Sequence, residues 1–229
     1  MRTSTRLKLA YVALAAADTA LAGSGRPWAH RVRHVTKPLL LPVLGTALAS
    51  DPRAARSPLR TTTLAAQVGG WGGDVLLLGE GERAFAAGAA SFGVGHLAYI
   101  SGFWRHRDRR TPITASRTAR VVGALWAATG PVVAATAARR DRGLGATLLG
   151  YSGLLATMAA TASHLDPALP RDARLLTAAG GSVFLASDAV LGARTFLLPD
   201  APERLEAVVM ATYAGAQLLL AEGAARAGR

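Results

Sequence analysis

The sequence predicts an all-α polytopic membrane protein, a bundle of about eight transmembrane helices, on three observations. Charge is segregated: residues 84–104, 121–138 and 143–165 contain no Asp, Glu, Lys or Arg, although 17% of the 229 residues are charged. Uncharged apolar stretches of ~18 residues or more are long enough to span a bilayer. Segments such as GLGATLLGYSGLLATMAATASHL also lack the polar stripe that a helix of a soluble bundle turns to water. Finally, Asp74 and Asp188 each sit inside an otherwise apolar run. A carboxylate at membrane depth costs roughly 2.5–3.5 kcal/mol even on lenient insertion scales, so a chain that carries two in matching settings is expected to use them.

Eight apolar segments follow one another at 7–24, 37–50, 59–79, 84–104, 118–138, 143–164, 173–196 and 204–222. Arg2, Arg6 and Lys8 stand near the start of the first, and Ala20-Leu21-Ala22 lies near its end, a signal-peptide-like pattern, but Asp18 inside the run favours a retained helix. The second is short, so it begins before Lys37 or does not fully span. The third carries GGWGG at 69–73, where Gly69 and Gly73 have the spacing of close helix packing. No strand precedes that run and no Lys-Ser/Thr ends it, so it is not a phosphate loop. The fourth holds His96 and Tyr99. The fifth holds Pro131, the only proline read as lying well inside a span. The sixth holds Tyr151 and ends at His164, the seventh holds Asp188, and the eighth holds Tyr213 and Gln217. Asp18 and His164 are read as residues of the wet headgroup region. Basic or Pro-bearing connections such as DPRAARSP, RHRDRRTP and LDPALPRD separate the segments, so 1–229 reads as a single transmembrane domain.

The net charge of +12 would point to nucleic acid in a soluble protein, but here the basic residues fall mainly between apolar segments, where they set topology and meet lipid headgroups. A nucleic-acid partner is therefore not expected. With no cysteine, disulfides, thiolate metal sites and a Cys nucleophile are excluded. There is no G-x-S-x-G elbow, H-E-x-x-H motif or Cys/His cluster, so no metal site and no cofactor is expected. If the segments alternate across a membrane, 16 of the 26 basic residues share the side of the two termini and 10 lie on the other. The positive-inside rule then places both termini in the cytoplasm of a multi-pass cell-membrane protein.

That topology gives the two aspartates one depth. Asp74 lies 14 residues after Arg60 and Asp188 lies 14 after Arg174, so both stand ~21 Å from the cytoplasmic end. Two carboxyl groups in one desolvated site divide into an acid and a carboxylate, the division that general acid–base hydrolysis through an oxocarbenium ion uses. A proton-coupled carrier of a small amphiphile could use the same pair. So could a scaffold with structural aspartates, and the residues alone leave all three readings open.

Six motifs carry a resemblance. They are Thr36-Lys37-Pro38-Leu39, Gly73-Asp74-Val75-Leu76-Leu77, Phe92-Gly93-Val94-Gly95-His96-Leu97-Ala98-Tyr99, Tyr151-Ser152, Gly181-Ser182-Val183-Phe184-Leu185-Ala186-Ser187-Asp188 and Thr212-Tyr213-Ala214-Gly215-Ala216-Gln217. In order and spacing the chain resembles the YhhN-like family of integral membrane lysoplasmalogenases over nearly its whole length. The resemblance implies hydrolysis of the vinyl ether bond of a lysophospholipid within the bilayer, without a cofactor, giving a fatty aldehyde and a glycerophospho-base. It implies Asp74 and Asp188 as the catalytic pair. Lys37 is then the candidate for the phosphate, and His96, Tyr99, Tyr151, Tyr213 and Gln217 are candidates for holding substrate or water.

Overall fold

The computed structural model describes residues 2–79, 81–139, 141–196, 198 and 200–229, the side chains of Glu82 and Phe196 excepted. Among these residues there are eight α-helices and no strand: α1 (Thr3–Ala22), α2 (Pro27–Ala49), α3 (Arg60–Leu76), α4 (Gly81–Arg105), α5 (Arg117–Ala138), α6 (Arg142–Ala162), α7 (Arg171–Phe196) and α8 (Glu203–Arg226). Five of them, α4 to α8, are long and apolar enough to cross a membrane. The expected helix number is therefore met, while the count of eight apolar spans is not. Basic residues lie within α1 (Arg6, Lys8) and α2 (Arg31, Arg33, Lys37), and α3 is 17 residues long with Gln67 and Asp74 inside it.

The second helix begins ten residues before the apolar run that marks it, with Pro27 at its first position, where a missing N–H leaves no helical bond unmade. Pro38 and Pro42 lie inside it, so Pro131 is not the only interior proline. Pro42 has no N–H to donate to the carbonyl four residues back, that of Pro38. Trp71 Nε1 donates to that oxygen instead, at 3.0 Å, which ties α2 to α3 close to Asp74. Ser116 and Asp141 cap α5 and α6 by accepting from Ala119 N (3.2 Å) and Leu144 N (3.0 Å).

Seven helices close a ring in the order α1, α2, α3, α4, α6, α7, α8 and back to α1, while α5 packs outside it on α6. The last helix, α8, also reaches across to α2 and α3 and is the most buried of the long apolar ones. The GxxxG reading of α3 holds. A Cβ on Gly69 would lie 2.6 Å from Gly95 N, and one on Gly95 would lie 2.8 Å from Ala66 O, so the α3 and α4 backbones touch. Outward faces are apolar even on the three less apolar helices: Leu9 and Val12 on α1, Val32, Val35 and Leu39 on α2, and Val68 and Trp71 on α3 are exposed.

Both chain ends meet at one end of the bundle. Lys8 of α1 pairs with Asp51 at 2.7 Å and with Glu222 of α8, and Arg53 bridges the same two carboxylates at 2.7 and 3.2 Å. Arg226 and Arg229 reach Asp172 of α7 at 3.0 and 3.3 Å. The connections after α4 and α6 also join, with Asp108 N donating to His164 O and Asp166 N to His106 O, both at 2.9 Å.

Candidate active site

Asp74 lies two residues before the end of α3 and is 1% exposed. A carboxylate there faces the negative end of the helix macrodipole. Two groups from other helices answer it. Lys37 Nζ of α2 stands 3.7 Å from Asp74 Oδ1, and the Tyr213 hydroxyl of α8 donates to Asp74 Oδ2 at 2.7 Å. The glycine before Asp74 leaves room for the Phe92 ring, which any Cβ on Gly73 would overlap. One turn of α8 beyond Tyr213, Gln217 Oε1 accepts from the Tyr99 hydroxyl of α4 at 2.9 Å. Gly70 faces the same layer: a Cβ there would lie in ordinary contact with Gln217 Nε2 (3.4 Å) and the Tyr213 hydroxyl (3.6 Å), and its tight neighbour is Leu41 Cδ1 of α2 at 2.9 Å.

Asp188 on α7 is partly exposed and differently partnered. The Tyr151 hydroxyl of α6 donates to Asp188 Oδ2 at 2.6 Å, and His96 Nε2 of α4 lies 3.3 Å from the same hydroxyl. Among the described residues no cation pairs with Asp188. Next to it, Ser187 donates to Val209 O at 3.0 Å and pins α7 to α8 at this level.

Aromatic rings tie the two arms together. Phe184 meets Tyr213 edge-on with centroids 5.5 Å apart, and it meets His96 edge-on at 4.9 Å. Phe92 packs on Tyr213 at 6.0 Å. Lys37, Asp74, His96, Tyr99, Tyr151, Asp188, Tyr213 and Gln217, the eight residues singled out in the sequence, therefore belong to one connected interior cluster drawn from α2, α3, α4, α6, α7 and α8. It pairs two carboxyl groups with contrasting partners in an apolar interior, a setting suited to passing a proton to and from a bound molecule. Among the described residues no group of His, Asp and Glu is arranged to hold a metal ion.

Two neighbours were not singled out. Gln67 is 3% exposed, and neither polar atom of its side chain has a hydrogen-bond partner. It precedes Asp74 by seven residues, two helical turns on one face, and that spacing was the available signal. Arg33 is buried one turn from Lys37 on α2. Asp18, read from the sequence as a residue of the headgroup region, is fully buried within the bundle, where it accepts from the Thr36 hydroxyl at 2.5 Å and faces Arg33 Nε at 3.5 Å. Its place near a helix end hides that the neighbouring helix continues past it. His164 is likewise buried, with Nε2 3.1 Å from Thr111 O.

A family model described as the YhhN family matches residues 32–224, from α2 into α8. No curated protein and no solved structure matches the chain.

Proposed function

The chain belongs to the YhhN family, and we propose that it is an intramembrane hydrolase that opens the vinyl ether bond of a lysoplasmalogen, yielding a fatty aldehyde and a glycerophospho-base. The supporting observation is the carboxylate pair, Asp74 and Asp188, each held by a tyrosine hydroxyl and linked through the Phe184–His96 contact. The reaction needs a proton on the outer vinyl carbon, which leaves an oxocarbenium ion at the carbon bearing oxygen. Water adds to that carbon and gives up a proton. As the resulting hemiacetal collapses, its hydroxyl gives up its proton to the carboxylate that began as the acid and forms the C=O bond, while the bond to the glycerol oxygen breaks and that oxygen leaves with the electron pair and takes the proton that water gave to the other carboxyl group. One water is consumed, and both carboxyl groups return to their starting state.

The contrasting partners assign the roles. Asp188, with no cation among its described contacts, donates the proton. Asp74, charge-balanced by Lys37, steadies the cation and takes the proton from water. Tyr151 and Tyr213 fix the two carboxyl groups, and Tyr99 and Gln217 brace Tyr213. Buried His96 Nδ1, without a hydrogen-bond partner among the described residues, is available to a water or a glycerol hydroxyl. In this reading all eight helices lie in the cell membrane as one domain with both termini cytoplasmic. The lipid substrate comes from the bilayer, and no cofactor takes part. A proton-coupled carrier would place its site on discontinuous helices, whereas among the described residues all eight run unbroken, through prolines included.

The test is mass-spectrometric turnover of purified protein in detergent, with alkenyl lysophospholipid beside its saturated ether and acyl analogues. Aldehyde is expected from the alkenyl lipid alone, and it should disappear in both Asp74→Asn and Asp188→Asn. Activity surviving in both variants would overturn the mechanism.

A further inference from the structure

At the end of the bundle away from the chain termini, α1, α2, α7 and α8 bring a second charged cluster together. Arg33 pairs with Glu206 and faces Asp18 at 3.5 Å, Arg194 Nη1 lies 2.9 Å from Glu206 Oε2, and Thr36 holds Asp18. Asp18 and Arg33 are buried, whereas Arg194 and Glu206 are half-buried and open the cluster to the outside. The set is incomplete. Among the described residues, Asp18 Oδ2, Arg33 Nε, Arg194 Nε and Glu203 Oε2 are all buried without a hydrogen-bond partner, a state that buried polar groups rarely keep. Glu203 stands one turn before Glu206 at the start of α8, so these atoms lie toward the same end of the bundle.

The cluster adjoins the candidate active site. Arg33 precedes Lys37 by four residues on α2, so it stands one turn, ~6 Å, beyond the cation that meets Asp74. In a lysoplasmalogen six bonds separate the reacting vinyl carbon from phosphorus, about 7 Å for staggered bonds of ~1.5 Å. A vinyl ether placed at Asp74 with its headgroup toward this end brings phosphate to the level of Arg33. The charge signs then choose the headgroup. Two guanidinium groups stand among three carboxylates, Asp18, Glu203 and Glu206. A phosphate that takes Arg33 and Arg194 frees Glu206, and the freed carboxylate needs a new cation. A zwitterion supplies both charges; a purely anionic headgroup leaves the carboxylates uncompensated.

We propose that these helix ends form a headgroup subsite for a zwitterionic glycerophospholipid, with phosphate on Arg33 and Arg194 and ammonium on Glu203 and Glu206. The register relies on the hydrolase reading, but binding can be measured without turnover. The probes are a saturated-ether lysophosphatidylethanolamine, the glyceryl ether of the same chain, and the phosphatidylglycerol counterpart, each titrated calorimetrically into the full-length protein in one detergent. The wild type is expected to bind the zwitterion at least about tenfold more tightly than the glyceryl ether, as charge-assisted hydrogen bonds imply. Arg33→Gln and Arg194→Gln should each erase most of that preference and leave glyceryl ether affinity unchanged. Arg194 is half-buried at the rim, so its variant carries the test if Arg33→Gln does not fold. Equal affinity for the two ethers, or variants that weaken both alike, would overturn the subsite. Equally tight binding of the phosphatidylglycerol lipid would overturn the zwitterion assignment. A hydrolase reading that fails shows instead as no aldehyde from the alkenyl lipid, with these affinities standing.

Discussion

The ion pair between Lys37 and Asp74 gives the sharpest check on the site. At 3.7 Å the two charges attract by about 4.5 kcal/mol at an effective dielectric constant near 20, before desolvation is subtracted. Lys37→Met removes the cation and strands the carboxylate at the negative end of α3, a loss of about 3–5 kcal/mol for breaking a buried pair. At ~2–4 °C per kcal/mol for a chain of this length, Tm should fall by roughly 10 °C. Adding Asp74→Asn to that variant removes the stranded charge, so the double variant should be more stable than the sum of the single losses by at least ~2 kcal/mol. Thermal unfolding of the wild type, both single variants and the double variant in one detergent closes the cycle. Additivity within ~0.5 kcal/mol would refute the pairing. A Lys37→Met protein with unchanged Tm and weaker substrate binding would return Lys37 to the role of phosphate ligand alone.

Three further outcomes are expected. Tyr151→Phe removes the 2.6 Å hydrogen bond that positions the Asp188 acid and should lower turnover about 3- to 10-fold with little loss of Tm, the effect of one hydrogen bond to a neutral group; a protein with wild-type kcat would sink the role given to Tyr151. Gly69→Val drives a side chain into the α4 backbone, where even a Cβ would lie 2.6 Å from Gly95 N, and should cost at least about 1–3 kcal/mol, read as a lower Tm. At the terminal end of the bundle, burial pushes the Asp51 carboxyl up, but hydrogen bonds from Arg53 and Lys8 outweigh it and hold the group well below the usual carboxylate range. Because the folded value is depressed, its stabilising contribution is present above about pH 4, the unfolded value, and is lost as pH falls through the folded value. Asp51→Asn should therefore lower Tm at pH 7 and flatten the acid decline of Tm below pH 4; an unchanged decline would exclude Asp51 as its source.

The long helices were legible because lipid removes the need for a polar face. Three charge-free stretches mark α4, α5 and α6, and neighbouring basic connections mark their ends. The limits of α2 were not legible for the complementary reason. Hydropathy averages a helix around its circumference, whereas α2 buries Arg33 and turns Lys37 inward to Asp74 while exposing Val32, Val35 and Leu39. A charged half-helix with an apolar outer face scores as a connection. Charged residues likewise make α1 and α2 less apolar than α4 to α8, and α3 is only 17 residues long. The catalytic candidates were legible because an isolated Asp, His or Tyr in an apolar run has few structural excuses. Their pairings were not. Lys37 and Asp74 are 37 residues apart, and Asp74 meets Tyr213 across 139. Only helix packing decides which partner each finds. That packing turns on small residues: contact between Gly69 and Gly95 brings α4 against α3, and the bare Gly73 admits the Phe92 ring that packs on Tyr213. The glycines read from the sequence as packing devices thus determine which polar groups can reach Asp74. Gly70→Ala puts a Cβ 2.9 Å from Leu41 Cδ1 but only in ordinary contact with the Tyr213 hydroxyl, so it should press on α2 and be read in Tm before it is read in turnover; a large loss of turnover at unchanged Tm would refute that order.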